Sequence, residues 1–600
     1  MVSYQLAAAI TLLSVTASTH ATGSKPNVLT QLCKCSAGDA CWPSVAQWDD
    51  FNRTVSGRLL TPKPTAWVCY NGDTAACNVL RAQGTNAYYR ADRAGSMQNW
   101  SWEENGDNGR CVVPAVGASV TAEQCKQGNV PAYAVNVGQA SDIQNAVQYA
   151  AKNRLKLVVK STGHDFLGRS TAADSLLIWT HNFKDISVNP SFVPEGAPKK
   201  VKGVPVAGVP AVTVTGGMAW GEVYMYVRTN FPQYTVIGGQ AATVGATGGY
   251  ANGGGHGALS PSFGLAVDNF LEVQIVTADG KLRTVNQYQE PDLFWALRGG
   301  GGGTYGVTVS ITYKLHPTPP AYTGELLILS PTNGTWSAAI QEDIMTVWAS
   351  ETRNLDKQRW GGYFTLTDST FYGTFVAPTG YAAGLAAFEP IVKGMRGIGG
   401  VATVNYTIPF TQFNDWRNFV AGIAFPKTGT DYTGGRSVVA SRLIPDKALD
   451  NPRRVAQMMV KTSTANGAAN GFIGHLVAGP GVREADASGT ETSVTPAWRG
   501  ATYHALWYSG WAANSSETVV QERKDKLNGA LQIMRDEYKD TGSYVNEAFA
   551  YEPEWQKAFW GRNYAKLLAI KAVYDPLGLF TCNRCVGSEL WGVVEKTCKK

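Results

Sequence analysis

Residues 158–170 read V-V-K-S-T-G-H-D-F-L-G-R-S, in which an apolar pair leads into a polar turn. The two β-branched valines favour a strand, and the glycines at 163 and 168 favour a tight turn after it. This turn carries a single imidazole, that of His164. The sequence therefore predicts a strand that ends by presenting one histidine.

The segments around this turn show alternating strand and helix patterns. A strand is predicted over 132–137, a helix over 140–152 with Ser141-Asp142 as its N-cap, and a buried strand over 155–160. Beyond the turn, the patterns predict strands within 201–214, a helix over 219–228, a strand over 271–277 and a short helix over 292–297. The turn at 161–170 thus follows a strand–helix–strand unit.

Two further glycine-rich turns lie downstream. Residues 238–257 read G-G-Q-A-A-T-V-G-A-T-G-G-Y-A-N-G-G-G-H-G, and residues 299–306 read G-G-G-G-G-T-Y-G. A low-complexity linker is the alternative for 238–257, but structured segments flank it closely. The G-x-G-x-x-G match at 301–306 follows a helix-like segment and precedes a strand, the reverse of the dinucleotide fingerprint. Three such turns can offer many backbone N–H groups to an anion, which favours a large pyrophosphate-bearing cofactor.

Four stretches within about 130–316 form a recognisable set. They are K-S-T-G-H-D-F-L-G-R-S at 160–170, T-V-G-A-T-G-G-Y-A-N-G-G-G-H-G at 243–257, F-G-L-A-V-D-N at 263–269 and D-L-F-W-A-L-R-G-G-G-G-G-T-Y-G-V at 292–307. Together these stretches resemble the PCMH-type FAD-binding domain of the vanillyl-alcohol oxidase superfamily. The likeness is greatest to fungal berberine-bridge-enzyme-like oxidases, including those called isoamyl alcohol oxidases. Y-V-N-E-A at 544–548, F-W-G-R-N-Y at 559–564 and I-K-A-V-Y-D-P at 570–576 resemble the terminal module of that family.

The resemblance implies an α+β, two-lobed flavoprotein. Its FAD-binding domain would contain two α+β subdomains, and its substrate domain would be an antiparallel sheet with helices. With the composition shifts along the chain, this divides the sequence into a signal peptide (1–21), a cysteine-rich segment packed on the FAD domain (22–126), the FAD-binding domain (127–318), the substrate domain (319–540) and a C-terminal segment that returns to the FAD domain (541–600).

By the same resemblance, His164 is the point at which the FAD is attached, through a bond from an imidazole nitrogen to the 8α-methyl group of the flavin. A neutral imidazole in a glycine turn is compatible with this chemistry. Asp165 is expected to point away from the phosphates or to cap the turn. The expected cofactor-binding residues are Ser161, Thr162, Gly163, His164, Asp165, Gly168, Ser170, Gly239, Thr243, Val244, Gly245, Gly248, Gly249, Tyr250, Gly254, Gly255, His256, Gly257, Val307 and Asn563.

A second, cysteinyl link to the flavin occurs in many relatives just before the T-V-G element. Here Ala241 stands at that place, and no cysteine lies between Cys125 and Cys582. We therefore expect attachment through His164 only. Val244 occupies the position that gates oxygen access in the family, where a small residue accompanies oxidase activity.

The implied activity is that of a secreted FAD-dependent oxidase, which takes hydride from an alcohol-type C–OH group and reduces O2 to H2O2. Tyr544, Tyr564 and Asn546 are the catalytic candidates; Asp165 and Glu547 are weaker alternatives for the base, which the sequence does not decide. A small alcohol, a sugar and a secondary metabolite all stay open as substrates. The alternatives are a flavin dehydrogenase with another electron acceptor, an oxidative-cyclisation enzyme, and a non-enzymatic, allergen-like protein that retains flavin.

Composition supports export and argues against several partners. The 600 residues carry a formal charge of +6 without basic runs, which gives no support for nucleic-acid binding. Beyond the apolar start, no stretch approaches a membrane span, and a monomer is the default expectation. Sequons at five asparagines fit a glycoprotein. They lie at Asn52, Asn99, Asn333, Asn405 and Asn514.

Ten cysteines in an apparently exported chain suggest disulfides. Seven lie within 33–125 and three within 582–598. If all of them pair, at least one bridge must join the N-terminal region to the tail. A zinc site at Cys582-Asn-Arg-Cys585 lacks a nearby histidine pair, and no metal is expected.

Overall fold

The computed structural model is α+β and two-lobed, as the sequence predicts. It describes residues 34–104, 109–201, 204–319, 322–413, 433, 435–467, 471–485 and 491–591. The expected signal peptide, Cys33 and Cys598 lie outside these ranges. Among the described residues, no helix combines the length and the apolarity needed to cross a membrane.

The first lobe contains two main sheets, which match the two expected subdomains. Strands β1 to β4 form a sheet in the order β1-β2-β4-β3, with β2 and β3 both parallel to β4. These strands are β1 (Leu59–Leu60), β2 (Tyr133–Asn136), β3 (Lys156–Lys160) and β4 (Ser175–Trp179). Because β1 belongs to the cysteine-rich segment, that segment extends the sheet of the FAD-binding domain.

The second sheet of this lobe has the order β11-β10-β12-β8-β5, and its pairs are antiparallel. Two short pairs, β6–β7 and β9–β13, lie beside it. The strands are β5 (Ile186–Phe192), β6 (Lys200–Val201), β7 (Val204–Pro205), β8 (Val209–Thr215), β9 (Tyr234–Thr235), β10 (Phe270–Val276), β11 (Leu282–Val285), β12 (Val307–Lys314) and β13 (His316–Pro317).

The second lobe is an antiparallel sheet of seven strands in the order β17-β14-β16-β15-β19-β20-β18. The strands are β14 (Tyr322–Pro331), β15 (Gly361–Leu366), β16 (Phe371–Ala377), β17 (Val401–Phe413), β18 (Ser437–Pro445), β19 (Phe472–Leu476) and β20 (Ala501–Gly510). Strands β19 and β20 are interior strands of this sheet, and both carry a buried histidine.

Helices cover these sheets. The N-terminal segment and first lobe contain α1 (Val45–Thr54), α2 (Thr74–Gln83), α3 (Ala87–Ala91), α4 (Trp100–Glu104), α5 (Ala140–Asn153), α6 (Trp220–Asn230), α7 (Gly249–Asn252), α8 (Ser260–Phe263) and α9 (Pro291–Leu297). The second lobe contains α10 (Ala338–Lys357), α11 (Tyr381–Arg396), α12 (Pro452–Asn466), α13 (Pro480–Glu484) and α14 (Glu517–Glu537), and the C-terminal segment contains α15 (Trp555–Trp560), α16 (Tyr564–Tyr574) and α17 (Ser588–Trp591).

Helix α5 begins one residue before the predicted cap. Its N-cap is Gln139, and the Asp142 carboxylate accepts the Gly138 and Gln139 N–H groups at 2.9 and 3.1 Å. Arg58 donates to the same carboxylate at 2.6 Å. The N-cap predicted at Ser141-Asp142 is therefore wrong, because Asp142 reaches back to the cap from inside the first turn.

The C-terminal segment packs on the first lobe. Trp555, Trp560 and Leu567 share one apolar core with α9 and the glycine-rich region. Leu579 and Phe580 lie in a second core with Cys35 and the residues of α1 and α5. The two ends of the described chain therefore meet on the same subdomain.

Eight cysteines form four local disulfides in the described chain. They are Cys35–Cys41, Cys69–Cys77, Cys111–Cys125 and Cys582–Cys585. The last of these uses both thiols of the possible zinc half-site. The expected bridge between the chain ends would fall on Cys33 and Cys598, which lie outside the described residues, and it stays a prediction.

Candidate active site

A deep cleft lies where the three glycine-rich turns meet the C-terminal segment. The cleft and its open mouth together enclose about 1020 Å³. Thirteen of the predicted site residues line it. They are Ser161, Thr162, Gly163, His164, Asp165, Ser170, Val244, Gly245, Gly248, Gly249, Tyr250, Tyr544 and Asn546.

His164 lies at the cleft because β3 ends at Lys160 and the turn after it doubles back. Gly163 adopts φ +84°, and a Cβ there would come within 3.3 Å of the Ser96 carbonyl oxygen. The His164 Nε2 atom lies 2.7 Å from the Thr243 hydroxyl oxygen. The imidazole is thus oriented by a residue of the second glycine-rich turn, another predicted cofactor-binding residue.

Asp165 caps the turn, as expected. Its carboxylate accepts the backbone N–H groups of Leu167 and Arg169 and the Arg169 Nε–H at 2.7 Å. Both side chains are more than nine-tenths buried. Arg169 in turn donates to the Asn546 side-chain oxygen at 3.1 Å. This ion pair links the first turn to the C-terminal segment, a role that the sequence reasoning did not assign to Arg169.

Several glycines of the cleft lie where a side chain would block close packing between the turns or close contact with a cofactor. A Cβ on Gly302 would lie 2.5 Å from the Gly249 Cα, so the second and third turns approach with no room for side chains. At Gly248 and Gly249 a Cβ would meet nothing within 4 Å, because these residues face the cleft. The buried Ser161 hydroxyl, on the same cleft, has no hydrogen-bond partner among the described residues. An open glycine wall and an unpaired hydroxyl fit a phosphate-bearing group such as FAD.

Other predicted cofactor-binding glycines pack against protein instead. A Cβ on Gly168 would lie 2.4 Å from the Trp102 ring, and one on Gly257 would lie 2.0 Å from the Gly238 carbonyl oxygen. The structure places the remaining residues behind the cleft wall. These are Gly239 and Gly255 against Tyr250, Gly254 against Tyr544 and Val494, Val307 in the sheet core, and Asn563, which donates to the Val494 carbonyl.

Two of the three catalytic candidates meet at the cleft. The Tyr544 hydroxyl oxygen accepts the Gly255 N–H at 3.0 Å and the Asn546 amide N–H at 2.7 Å. Burial, with a contribution from Glu547, raises the pKa of Tyr544 above its usual value, so this phenol stays protonated at neutral pH. Two donors to its oxygen leave the phenolic proton for a third partner in the cleft.

Tyr564 does not line the cleft. Its hydroxyl donates to Glu589 at 2.5 Å and accepts the Gly587 N–H, and its ring packs on Trp555 and Trp560. Lys571 of the same segment forms a buried ion pair with Asp575. Of the two tyrosines among the catalytic candidates, Tyr544 therefore lines the cleft and Tyr564 does not.

Sequence reasoning missed a cluster of three histidines beside the cleft. His256, His475 and His504 are all buried, and they surround the carboxylate of Glu547, which lines the cleft. Burial holds the pKa values of His475 and His504 well below the usual range. For Glu547, burial acts to raise the pKa, but His256 and His475 together act more strongly in the opposite direction. The net effect is a lowered pKa for Glu547.

Comparisons with known proteins agree with this geometry. Residues 131–286 match the family model described as an FAD binding domain, and residues 543–587 match the model described as berberine and berberine like. An FAD-linked oxidoreductase of Arthroderma benhamiae is 36% identical over 93% of this chain and 94% of its own. The FAD-linked oxidoreductase ZEB1 of Gibberella zeae is 34% identical over 94% and 95%.

Solved structures show the same fold. The VAO-type flavoprotein MtVAO713 of Myceliophthora thermophila matches with a TM-score of 0.84, at 28% identity over 93% of this chain and 97% of that one. The berberine bridge enzyme of Eschscholzia californica matches in fold alone, with a TM-score of 0.59 at 18% identity over 76% and 90%. The chain belongs to the FAD-linked oxidoreductases of the vanillyl-alcohol oxidase and berberine-bridge-enzyme-like family.

Proposed function

We propose that this protein is an exported FAD-dependent oxidase that removes a hydride and a proton from an alcohol-type C–OH group and passes two electrons to O2. The observation that carries the proposal is the shared cleft. His164, the expected attachment residue, and the polar side chains Tyr544 and Asn546 line it from opposite segments of the chain. One side holds a flavin, and the other side orients a substrate.

The first side of the cleft fits FAD held through His164 alone. The Thr243 hydroxyl orients the imidazole, and Asp165 and Arg169 fix the turn around it. Ser161 and the wall formed by Gly248 and Gly249 are suited to the phosphates. No cysteine lies between residues 125 and 582 to form a second, cysteinyl link in this region, which supports attachment through His164 only. When bound, FAD supplies the hydride acceptor.

The second side would orient the alcohol. Gly255 and Asn546 both donate to the Tyr544 oxygen, so its O–H can donate to the oxygen of the substrate. Asn546 is itself fixed by Arg169 and by the Tyr250 carbonyl oxygen, to which it donates at 3.1 Å. These contacts hold a polar wall in one geometry, which is what catalysis by positioning requires.

The overall reaction balances with dioxygen as the acceptor. The alcohol loses a hydride from carbon and a proton from oxygen and becomes a carbonyl compound, and O2 takes up two electrons and two protons to become H2O2. Val244, the family position for oxygen access, lines the cleft. Export is supported by the disulfides, which persist in oxidising compartments.

The test is a substrate panel with the purified protein. Primary and secondary alcohols, sugars and hydroxylated secondary metabolites are each incubated aerobically, and peroxide release is measured; each hit is then mixed anaerobically with the enzyme to follow bleaching of the flavin absorption. Peroxide release with anaerobic bleaching supports the proposal. A yellow protein that no substrate reduces would favour the non-enzymatic alternative, and bleaching without oxygen-dependent turnover would favour a dehydrogenase.

A further inference from the structure

Four metal-ligating side chains converge beside the cleft from four separate segments of the chain. One ligand atom from each of His256, His475, His504 and Glu547 lies within 4.8 Å of the others. We propose that this cluster binds one divalent transition-metal ion of the Zn²⁺ class. Three imidazole nitrogens and one carboxylate oxygen suit such ions, whereas Mg²⁺ and Ca²⁺ prefer sites made of oxygen atoms.

The distances favour a metal over a hydrogen-bonded network. The Glu547 Oε2 atom lies 3.2 Å from the His256 nitrogen, 3.3 Å from that of His504 and 3.7 Å from that of His475, and the two strand histidines are 3.3 Å apart. Hydrogen bonds from an N–H group to an oxygen are about 2.7–3.2 Å long, a range that only the His256 contact reaches. The edge of a tetrahedron with metal–ligand bonds of about 2.0–2.2 Å is about 3.3–3.6 Å. The observed spacings are close to such an edge.

The scaffold holds the four side chains in place. His475 on β19 and His504 on β20 are directly paired across the antiparallel ladder, so their side chains project from the same face of the sheet. His256 follows the paired left-handed glycines Gly254 and Gly255 at φ +129° and +70°. Glu547 ends a short helical turn at residues 545–547. A site on paired strands and short turns is preorganised.

The electrostatic balance also favours a bound cation. Among the described residues, no Lys or Arg forms an ion pair with Glu547, whose only partners of that kind are the three histidines. The rings of Tyr363, Trp498 and Tyr544 surround the cluster, with centroids 4.9 to 6.2 Å from those of the histidines. The Glu547 side chain is only 21% exposed, so its carboxylate is stabilised by a nearby positive charge, which a divalent ion would supply.

The position of the ion indicates its role in the reaction. Glu547 lies on the cleft that holds Tyr544 and Asn546, so a bound ion would face the substrate side of the cleft. Zinc in catalytic sites can expand from four to five ligands, and a metal-bound oxygen loses its proton more easily. An ion here would therefore hold the oxygen of the alcohol; this role rests on the proposed function, whereas the binding of the ion does not.

The test measures metal binding in the absence of any alcohol. The flavin-containing protein is treated with a chelating resin, titrated with ZnCl2 by calorimetry, and examined by zinc X-ray absorption. We expect about one equivalent of zinc with three imidazole ligands and one oxygen ligand. The His475→Gln and Glu547→Gln variants should bind zinc at least about 100-fold more weakly, because loss of even an outer partner costs 10–100-fold. Flavin content and melting temperature show that each variant folds.

His181→Gln is the matched control, because His181 is also buried but pairs with Asp92 outside the cluster. It should bind zinc as the wild type does. Wild-type protein that binds no zinc at 100 µM ZnCl2 would overturn the proposal, and so would folded His475→Gln and Glu547→Gln variants with unchanged zinc affinity. A protein that binds zinc but oxidises no alcohol would refute only the proposed function.

Discussion

The Nε2 atom of His164 lies 2.7 Å from the hydroxyl oxygen of Thr243, 79 residues further along the chain. Because this contact engages Nε2, we expect the covalent bond to the flavin to form at Nδ1. Thr243→Val removes the contact and should slow attachment severalfold, since the ring loses its fixed orientation. Thr243→Ser keeps the hydroxyl and should retain wild-type attachment.

The measurement is the fraction of flavin that stays with the protein after acid precipitation, followed over time during reconstitution. Mass spectrometry of the His164 peptide identifies the modified residue, and NMR of the isolated histidyl-flavin peptide distinguishes Nδ1 from Nε2. His164→Ala should release all flavin on precipitation. Equal attachment rates in the Thr243→Val and wild-type proteins would show that the hydroxyl does not orient the ring.

Gly249 offers a separate test of the glycine wall. A Cβ at this position meets no protein atom within 4 Å, so Gly249→Ala should fold normally, and alanine even favours helix α7. The added methyl group would project into the cleft. We therefore expect a flavin content several times lower than in the wild type, with the melting temperature of the flavin-free protein unchanged within about 2 °C.

Gly380→Ala is the control for this substitution, since its Cβ also meets nothing within 4 Å but lies at the start of α11 in the second lobe. It should keep full flavin content. The absorbance ratio of flavin to protein decides the comparison. Full flavin occupancy in Gly249→Ala would mean that the cofactor does not approach this turn.

Much of the first lobe could be predicted because its strands, helices and turns are encoded by short-range patterns in the sequence. The strand predicted over 132–137 is β2 at Tyr133–Asn136, and the helix predicted over 219–228 is α6 at Trp220–Asn230. Apolar periodicity reports such elements directly. The turns were predicted through their glycines, since few other residues tolerate positive φ angles.

The histidine cluster could not be predicted in this way. His475 and His504 are 29 residues apart and show no ligand spacing, and only the register of β19 with β20 brings them together. The sequence predicts Glu547 only as a weaker candidate for the base, and His256 only as a cofactor contact. Tyr564, in contrast, is predicted at the site but lies away from it. A family motif contains this residue, but its ring packs on Trp555 and its hydroxyl donates to Glu589.

The sequons differ in exposure, which predicts glycan occupancy in exported protein. The Asn99 side chain is only 7% exposed and donates to the Ser437 carbonyl at 2.8 Å, whereas Asn333 and Asn514 are exposed. A glycan requires an accessible amide nitrogen, so we expect occupancy at Asn333 and Asn514 and none at Asn99. Enzymatic deglycosylation in heavy-oxygen water, followed by peptide mapping, reads each site. A glycan on Asn99 would contradict the packing of α4 against β18.

His316 gives the fold a predictable response to acid. It lies on β13 of the first lobe, where its Nε2 atom is 2.6 Å from the Asn269 side-chain oxygen, and burial together with Lys314 lowers its pKa to about 4. The unfolded chain takes up a proton near pH 6.5, but the folded protein does not until about pH 4. Its contribution to stability is therefore complete above pH 6.5 and falls by up to about 3 kcal/mol as the pH drops to 4.

Urea unfolding at pH 7.5, 5.5 and 4.5, followed by tryptophan fluorescence, measures this effect. His316→Gln keeps a donor for Asn269 but does not titrate, so the difference in unfolding free energy between wild type and variant should shrink as the pH falls. Lys314→Gln removes the second cause of the shift; it should raise the pKa of His316 and reduce the loss of stability in acid. Equal losses of stability in wild type and His316→Gln between pH 7.5 and 4.5 would contradict this prediction. In that case, His316 would bind its proton equally in the folded and the unfolded protein.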